Sequence, residues 1–316
     1  ENLLYMKTLK ILFLASHWRV SLINAFQDSK LSFERICGDS DPLAPSFREA
    51  DRYQVLPLFS DPQCLRSVLN FCEVEKISAL LPLTNKSIEF IAKHRMELEA
   101  EGRRLWIPQN RAIEICHDKW KLFEFLKGKG FDTPSTFLPG HLETSFPCIA
   151  KPRRGEGSKD LFVVKDYNGL EFYMKKCPHH VFQKLIDGQE FSVDAFFDKY
   201  GSPRLIVPRE RLVVRGGEVM VSRINMDINI IEKVKALGSS LSLTGPCTIQ
   251  GIQNGKFYFT DVNLRFGSGY VHTISAGGNV PLMMYKEMVG QDLDSVKLDI
   301  KDHSIMTRYS ENIFHH

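Results

Sequence analysis

The feature that most limits the fold of this chain is a change of rhythm along it. In the first third, short apolar runs alternate with helix-like stretches. Ile11-Leu12-Phe13-Leu14 is a continuous apolar run, as a strand covered on both faces requires, and Tyr53 to Leu58 and Ala79 to Leu83 look similar. Between these runs, Pro62 to Glu73 and Lys86 to Glu99 read as helices, the first with Asp61 as N-cap and Pro62 at the first helical position. Such alternation predicts an open parallel sheet. Further on, Asp118 can cap a helix through Trp120, Leu122, Phe123 and Leu126, which Gly128 and Gly130 end and Pro134 keeps from resuming. Phe146 to Lys151, Asp160 to Asp166 and His180 to Ile186 then read as strands around one helix, Tyr167 to Lys176, a small α+β unit.

The last part turns antiparallel. Glu190 to Asp198 and Arg204 to Val214 flank the turn Lys199–Pro203. Thr248 to Gln253 and Lys256 to Leu264 flank Asn254-Gly255, the strongest short hairpin signal. A helix over roughly Asp227 to Leu241 separates the two hairpins, and the region after Gln291 reads as a terminal helix or tail. The 316 residues suffice for two or three packed units.

Several function classes drop out. A net charge of +3 is too mild for nucleic acid or an anionic membrane surface. No apolar run reaches the ~18 residues of a membrane span, and the short stretch Lys10 to Ala15 lacks a cleavage-like site. The seven cysteines form no CxxC pair and sit among apolar neighbours, so buried reduced thiols and a cytoplasmic setting are expected. Ser16-His17-Trp18-Arg19 stands where a dinucleotide fold would carry GxGxxG, which weakens a hydride-transfer reading. Glu1 to Tyr5, ahead of Met6, read as an added remnant; His315-His316 are either native or added.

Two segments carry chemistry. The loop Lys151-Pro152-Arg153-Arg154-Gly155-Glu156-Gly157-Ser158-Lys159 lies between two strands. Glycines let its amides converge on one anion, and the cations add charge, which suits a polyphosphate. It lacks the ending of a Walker loop; the alternative is a solvated surface hairpin. The second segment is the hairpin at Asn254-Gly255. With a two-residue turn, Gln250 faces Phe259 and Thr248 faces Asp261, so that Gln250, Asp261 and Asn263 project from one face. Oxygen ligands of this kind, completed by phosphate, suit Mg²⁺, and Arg265 continues the face toward a transferred phosphoryl group. The alternative is an edge hairpin with a solvated polar face.

In this order the motifs resemble the ATP-grasp superfamily, in particular the ATP-binding halves of carbamoyl phosphate synthetase and stand-alone carboxylate–amine ligases. The resemblance covers most of the chain after Met6. It implies an α/β plus α+β protein: an N-terminal open parallel sheet over 6–115, a lid subdomain with its entering helix over 116–186, and a C-terminal subdomain with the metal site over 187–316. It implies ATP and Mg²⁺ (or Mn²⁺) as cofactors. Lys119 of His117-Asp118-Lys119 and Lys151 would contact ATP phosphates, with Gly155, Gly157 and Ser158 in the phosphate loop. Gln183 to Glu190 resembles the hinge: Gln183, Lys184 and Ile186 would read adenine and Glu190 ribose. Asp261-Val262-Asn263-Leu264-Arg265 resembles the metal motif E-x-N-x-R, with Gln250 as the first ligand and Arg265 and Lys151 acting on the phosphoryl group.

There are departures. Asp261 replaces the usual Glu, Gln183 a common acid, and Asp160 a frequent glycine. The activity implied is activation of a carboxylate as an acyl phosphate and its coupling to an amine. Gly267-Ser268-Gly269 and Gly277-Gly278 could leave room for substrate, and Arg209 and Arg211, alternating after Pro208, would grip the carboxylate. The rivals are a small-molecule kinase and a nucleotide-binding regulator without turnover. Expected partners are a small-molecule carboxylate and an amine, with neither nucleic acid nor membrane; a homodimer is compatible with the family.

Overall fold

The computed structural model describes residues 8–28, 31–140, 146–155, 157 and 160–314. The first sheet collects β1 (Leu9–Leu14), β2 (Phe33–Asp39), β3 (Arg52–Val55), β4 (Ala79–Pro82) and β5 (Arg104–Leu105), all parallel, in the order β3-β2-β1-β4-β5. Helices α1 (Val20–Asp28), α2 (Cys64–Glu75), α3 (Asn85–Lys93) and α4 (Arg95–Glu99) connect the strands. The apolar run of β1 has a direct cause. Leu12 and Leu14 enter one core with α2 and α3, while Ile11 and Phe13 enter another on the opposite face, as the two-residue period of a strand dictates.

Two helix boundaries differ from expectation. Asp61 does not cap α2; its carboxylate accepts from the Gln63 amide at 2.8 Å, closing a turn, and the helix begins at Cys64. The stretch Lys86–Glu99 divides at His94, whose φ of −114° and ψ of 29° leave the helical region. The capping box of α3 lies earlier, between Thr84 and Ser87.

Helices α5 (Asn110–Cys116) and α6 (Lys119–Gly128) lead into a four-stranded antiparallel sheet. Its strands are β6 (Thr136–Phe137), β7 (Cys148–Pro152), β8 (Phe162–Val164) and β9 (His180–Lys184), ordered β6-β9-β7-β8 and backed by α7 (Tyr167–Lys176). It has a core of its own, built on Phe137, Cys148, Ala150, Val164, Leu170 and Phe182.

The third sheet has the order β14-β13-β10-β11-β12-β15. It comprises β10 (Gln189–Phe197), β11 (Pro203–Arg215), β12 (Glu218–Ile224), β13 (Gly245–Asn254), β14 (Lys256–Asn263) and β15 (Ile305–Thr307). Helix α8 (Ile228–Leu241) packs beneath it, and α9 (Tyr270–Ser275) and α10 (Val280–Met288) follow β14. The β13–β14 register corrects the expected one. Gly255, with φ at 63°, alone separates the paired Asn254 and Lys256, and a bulge follows between Gln250 and Gly251. Gln250 therefore faces Asp261, and Thr248 faces Asn263. The cause is local crowding: a Cβ on Gly251 would stand 2.3 Å from Phe257 Cζ and 2.8 Å from the Tyr258 carbonyl.

The end of the chain is a docked tail, without a helix among its described residues after α10. Leu293, Val296, Leu298 and Ile300 pack onto the second core, and β15 covers the edge of β12. His272 joins the two elements, accepting or donating to Ser222 Oγ at 2.9 Å and Ser304 Oγ at 3.1 Å. All seven cysteines are buried and free. Among the described residues no helix is long and apolar enough to cross a membrane. Glu1 to Tyr5 and His315-His316 lie outside the described residues.

Candidate functional site

A cavity of about 870 Å³ opens between the four- and six-stranded sheets, and Arg19 and Thr84 of the first sheet's loops close one side. At one end stand α6 and the glycine loop. Asp118 accepts from the amides of Trp120 and Lys121, capping α6, and takes Arg153 Nε on both oxygens at 2.8 Å. Burial opposes its charge, but the Arg153 hydrogen bonds and the helix amides outweigh it and hold the carboxyl below its usual range. One side chain thus ties the entering helix to the loop. Lys119 completes the junction: its amide donates to the Arg153 carbonyl at 2.9 Å and its Nζ to the Gly155 carbonyl at 3.2 Å. Gly155 and Gly157 have φ of 147° and 76°, conformations that favour glycine. Asp160, where the family often has glycine, sits at φ 54°. Ser158 lies outside the described residues.

Lys151 is buried and faces the cavity. Its Nζ donates to Gln183 Oε1 at 2.8 Å and to the Thr260 carbonyl at 3.5 Å, so it spans from one sheet to the other. Burial lowers its pKa from 10.5 to about 8, against the attraction of Asp261 and with the help of Lys119. Gln183 is oriented by its partners: with its oxygen on Lys151, its amide donates to Thr136 Oγ1 at 2.9 Å. The Lys184 amide is committed to the Ser135 carbonyl at 2.8 Å, so only its carbonyl is a candidate for a base's amino group. Lys184 and Ile186 both line the cavity.

Glu190 and Arg211, assigned different roles by the sequence, form an ion pair at 3.0 Å. Each nitrogen of the Arg211 guanidinium has an acceptor, with Ser192 Oγ at 3.2 Å and the Gly217 carbonyl at 3.2 Å taking the other two. Arg209 stands apart, 1% exposed, its Nε and Nη2 on Asp194 at 2.7 and 3.1 Å. Asp194 also accepts from Thr248 and Thr273 hydroxyls at 2.8 and 2.7 Å, which satisfies a carboxylate buried in an apolar strand. Arg209 Nη1 is buried beside Gly269 without a hydrogen-bond partner among the described residues, and Arg209 contributes to the cavity lining. Both arginines line the cavity, each held by a different carboxylate.

Gln250, Asp261 and Asn263 are half-buried and line the cavity, while Ile249 and Val262 point into the core. Asp261 Oδ1 accepts from the Val262 amide at 3.0 Å. Arg265 lines the same wall, with Nη1 on the Phe266 carbonyl at 3.3 Å. The trio offers oxygen donors with one carboxylate. No cluster of three His, Cys, Asp or Glu side chains suited to a metal occurs among the described residues. A divalent ion that keeps several waters and binds through one or two carboxylates plus phosphate oxygens fits this donor set; an all-protein cage does not.

Residues 116–269 match the ATP-grasp domain family. The chain contains an ATP-grasp domain. Residues 11–105 match the PylC-like N-terminal domain. The carbamoyl-phosphate synthase of Methanobrevibacter smithii is 26% identical over 206 residues, 62% of this chain and 51% of that protein. This chain thus spans about half the length of that relative. The L-amino acid ligase from Bacillus licheniformis superposes with a TM-score of 0.72 at 19% identity, over 93% of this chain and 78% of that one. The biotin carboxylase domain of the Hydrogenobacter thermophilus 2-oxoglutarate carboxylase, in complex with MgADP, ADP and bicarbonate, gives a TM-score of 0.71 at 14% identity, over 95% and 74%. These superpositions establish the fold, a parallel sheet leading into the ATP-grasp arrangement of two antiparallel sheets.

Within this ATP-grasp domain, Asp194 and Thr136 went unrecognised in the sequence. Asp194 carried a signal, as a lone acid in the apolar strand Phe191-Ser192-Val193-Asp194-Ala195-Phe196-Phe197. Arg19 and Thr84 carried none, because they reach the cavity only through the packing of the first sheet against the domain.

Proposed function

We propose that this chain is an ATP-dependent ligase that activates a carboxylate as an acyl phosphate and couples it to an amine. The observation that carries the reading is the meeting of two sets of residues across one cavity. Lys119, Lys151 and the glycine loop lie on one side; Gln250, Asp261, Asn263 and Arg265 lie on the other. The match to the ATP-grasp domain family and the activities of the similar carbamoyl-phosphate synthase and L-amino acid ligase support it.

In this reading Lys119, Lys151, Gly155, Gly157 and Ser158 hold phosphates. Gln183, Lys184 and Ile186 face adenine, and Glu190 binds ribose, held in position by Arg211. Gln250, Asp261 and Asn263 would hold Mg²⁺ or Mn²⁺. When bound, the ion would neutralise charge on the phosphates. Lys151 and Arg265 supply positive charge where the γ-phosphoryl gathers negative charge. A carboxylate oxygen forms the new P–O bond as the bond to ADP breaks; an amine then attacks the acyl carbon and phosphate leaves. Arg209, rather than Arg211, whose guanidinium is held by Glu190, is assigned to the acid, beside Gly267-Ser268-Gly269. Boundaries at 116 and 187, a cytoplasmic setting in keeping with the buried free thiols, and a homodimer belong to the same proposal.

The test is a matrix of carboxylic acids and amines, including free amino acids, assayed for phosphate release with ATP and Mg²⁺. ADP, phosphate and a new amide in one product set support the reading. A phosphorylated product that survives without an amine would make the protein a kinase, and ATP binding with no turnover a regulator.

A further inference from the structure

The cavity wall at the acid end is made of two separate pieces of chain. One is the tip of the β11–β12 hairpin, where Gly216, Gly217 and Glu218 line the cavity. The other is the loop from Gly267 to Gly269, which joins β14 to α9. The loop is pinned on its inner side. The Gly267 amide donates to Thr248 Oγ1 at 3.0 Å, and Gly269 lies so close to Arg209 that an added Cβ would stand 2.6 Å from Nη1.

The outer side is pinned from the C-terminal tail. Arg308 follows β15 directly, and its amide donates to the Met220 carbonyl at 2.8 Å, which fixes its backbone on β12. Its guanidinium then forks. Nη1 donates to Glu218 Oε2 at 2.8 Å, and Nη2 donates to the Ser268 carbonyl. One planar group thus ties the hairpin tip to the loop, and both tied residues line the cavity while Arg308 does not. The upstream tail is itself firmly seated. Lys301 N donates to the Ala276 carbonyl at 2.8 Å, and the Asp299 carbonyl would meet a Cβ on Gly277 at 2.1 Å.

We propose that Arg308 is a positioning residue: it sets the spacing between the hairpin tip and the 267–269 loop, and so the fit of the acid at Arg209. The proposal rests on the ligase reading, in which that loop borders the acid. An arginine is needed because a planar fork can serve two acceptors in fixed directions, whereas an ammonium presents a single point charge. A partly exposed ion pair adds little to global stability, so the effect belongs to the site rather than to the fold.

The experiment compares wild type, Arg308→Ala and Arg308→Lys in three measurements on the full chain. Hydrogen exchange needs no substrate. In Arg308→Ala the amides of 217–219 and 268–270 are expected to exchange about tenfold faster, with those of β13 unchanged. Steady-state kinetics with an acid and amine that support phosphate release should give an acid KM raised about tenfold, with kcat and the KM for ATP within about twofold of wild type. Arg308→Lys should fall between. Melting temperature should stay near wild type.

Unchanged exchange at 268–270 overturns the clamp. Faster exchange with an unchanged acid KM overturns its role in the site, as does a parallel change in kcat, both KM values and melting temperature. Wild type that releases phosphate with no acid–amine pair sinks the ligase reading and the acid-positioning role with it; the exchange measurement then decides the clamp alone.

Discussion

Lys151 and Gln183, neighbours on β7 and β9, share a hydrogen bond of 2.8 Å in which an amide stands where the family often has a carboxylate. The lysine is buried, and its main opposite charge is Asp261 across the cavity. Its pKa of about 8 in the folded chain lies below the ordinary 10.5. Between these values the unfolded chain holds the extra proton, so this group's contribution to stability rises with pH through that window. Phosphate favours the charged form. ATP affinity is therefore expected to be flat below pH 8 and to fall above it, approaching about tenfold per pH unit, with proton uptake on binding. Calorimetry in buffers of different ionisation enthalpy measures both. Affinity independent of pH from about 7 to 10 would remove Lys151 from the nucleotide site.

Asp261 supplies the only carboxylate of the proposed metal trio. Asp261→Asn keeps its shape and loses its charge. Turnover is expected to drop by about a hundredfold or more, because the charge matters most as the phosphoryl group transfers. ATP at about 100 times its dissociation constant should still stabilise the variant by ~2.7 kcal/mol. Asp261→Glu, which restores the usual family residue, should remain active. Normal turnover in Asp261→Asn would mean that the metal site lies elsewhere.

Gly269 packs against the guanidinium of Arg209, which Asp194 holds in place. A methyl group here cannot be accommodated without moving the arginine. Gly269→Ala should cost about 1–3 kcal/mol in thermal or urea unfolding, as overpacking commonly does. It should raise the KM for the acid and spare that for ATP. Wild-type stability together with a wild-type acid KM would show that Arg209 has room to shift and does not grip the substrate.

His272 lies between Ser222 and Ser304, and its pKa is lowered to about 4 by burial and by Arg209, against the pull of Asp194. The unfolded chain takes up this proton between 6.5 and about 4, so stability is lost as pH falls through that window. Thermal melts across it should decline less steeply for His272→Asn than for wild type. Equal slopes would mean that carboxylates elsewhere carry the whole acid sensitivity.

What the sequence revealed was chiefly local. The N-cap Asp118, the helix from about Asp227 and the presence of a hairpin at Asn254-Gly255 depend on residues within a few positions of one another, and all three are found, the hairpin in a different register from the expected one. The shared face of Gln250, Asp261 and Asn263 was also legible, but their cross-strand partners were not. The bulge that sets them comes from the contact of Gly251 with Phe257, which a periodic pattern does not encode. The union of Glu190 with Arg211 depends on β10 and β11 lying side by side, and the entry of Arg19 and Thr84 on the first sheet meeting the domain. The tail after Gln291 has weak periodicity because its order comes from the surface it lies on.

The distribution of the cores has a consequence for modularity. The main core runs without a break from β1, α2 and α3 through α5 and α6 to β10, β13 and β14, and Glu287 fastens the far side through Arg104, Trp106 and the Lys199 amide. The four-stranded sheet keeps its own small core. In a chimera, that sheet is the piece that can be exchanged with a relative's as a unit, with Lys151 and Gln183 travelling together. Splitting the first sheet from the third would expose apolar faces on both halves, so those two can be inherited or transplanted only as one block.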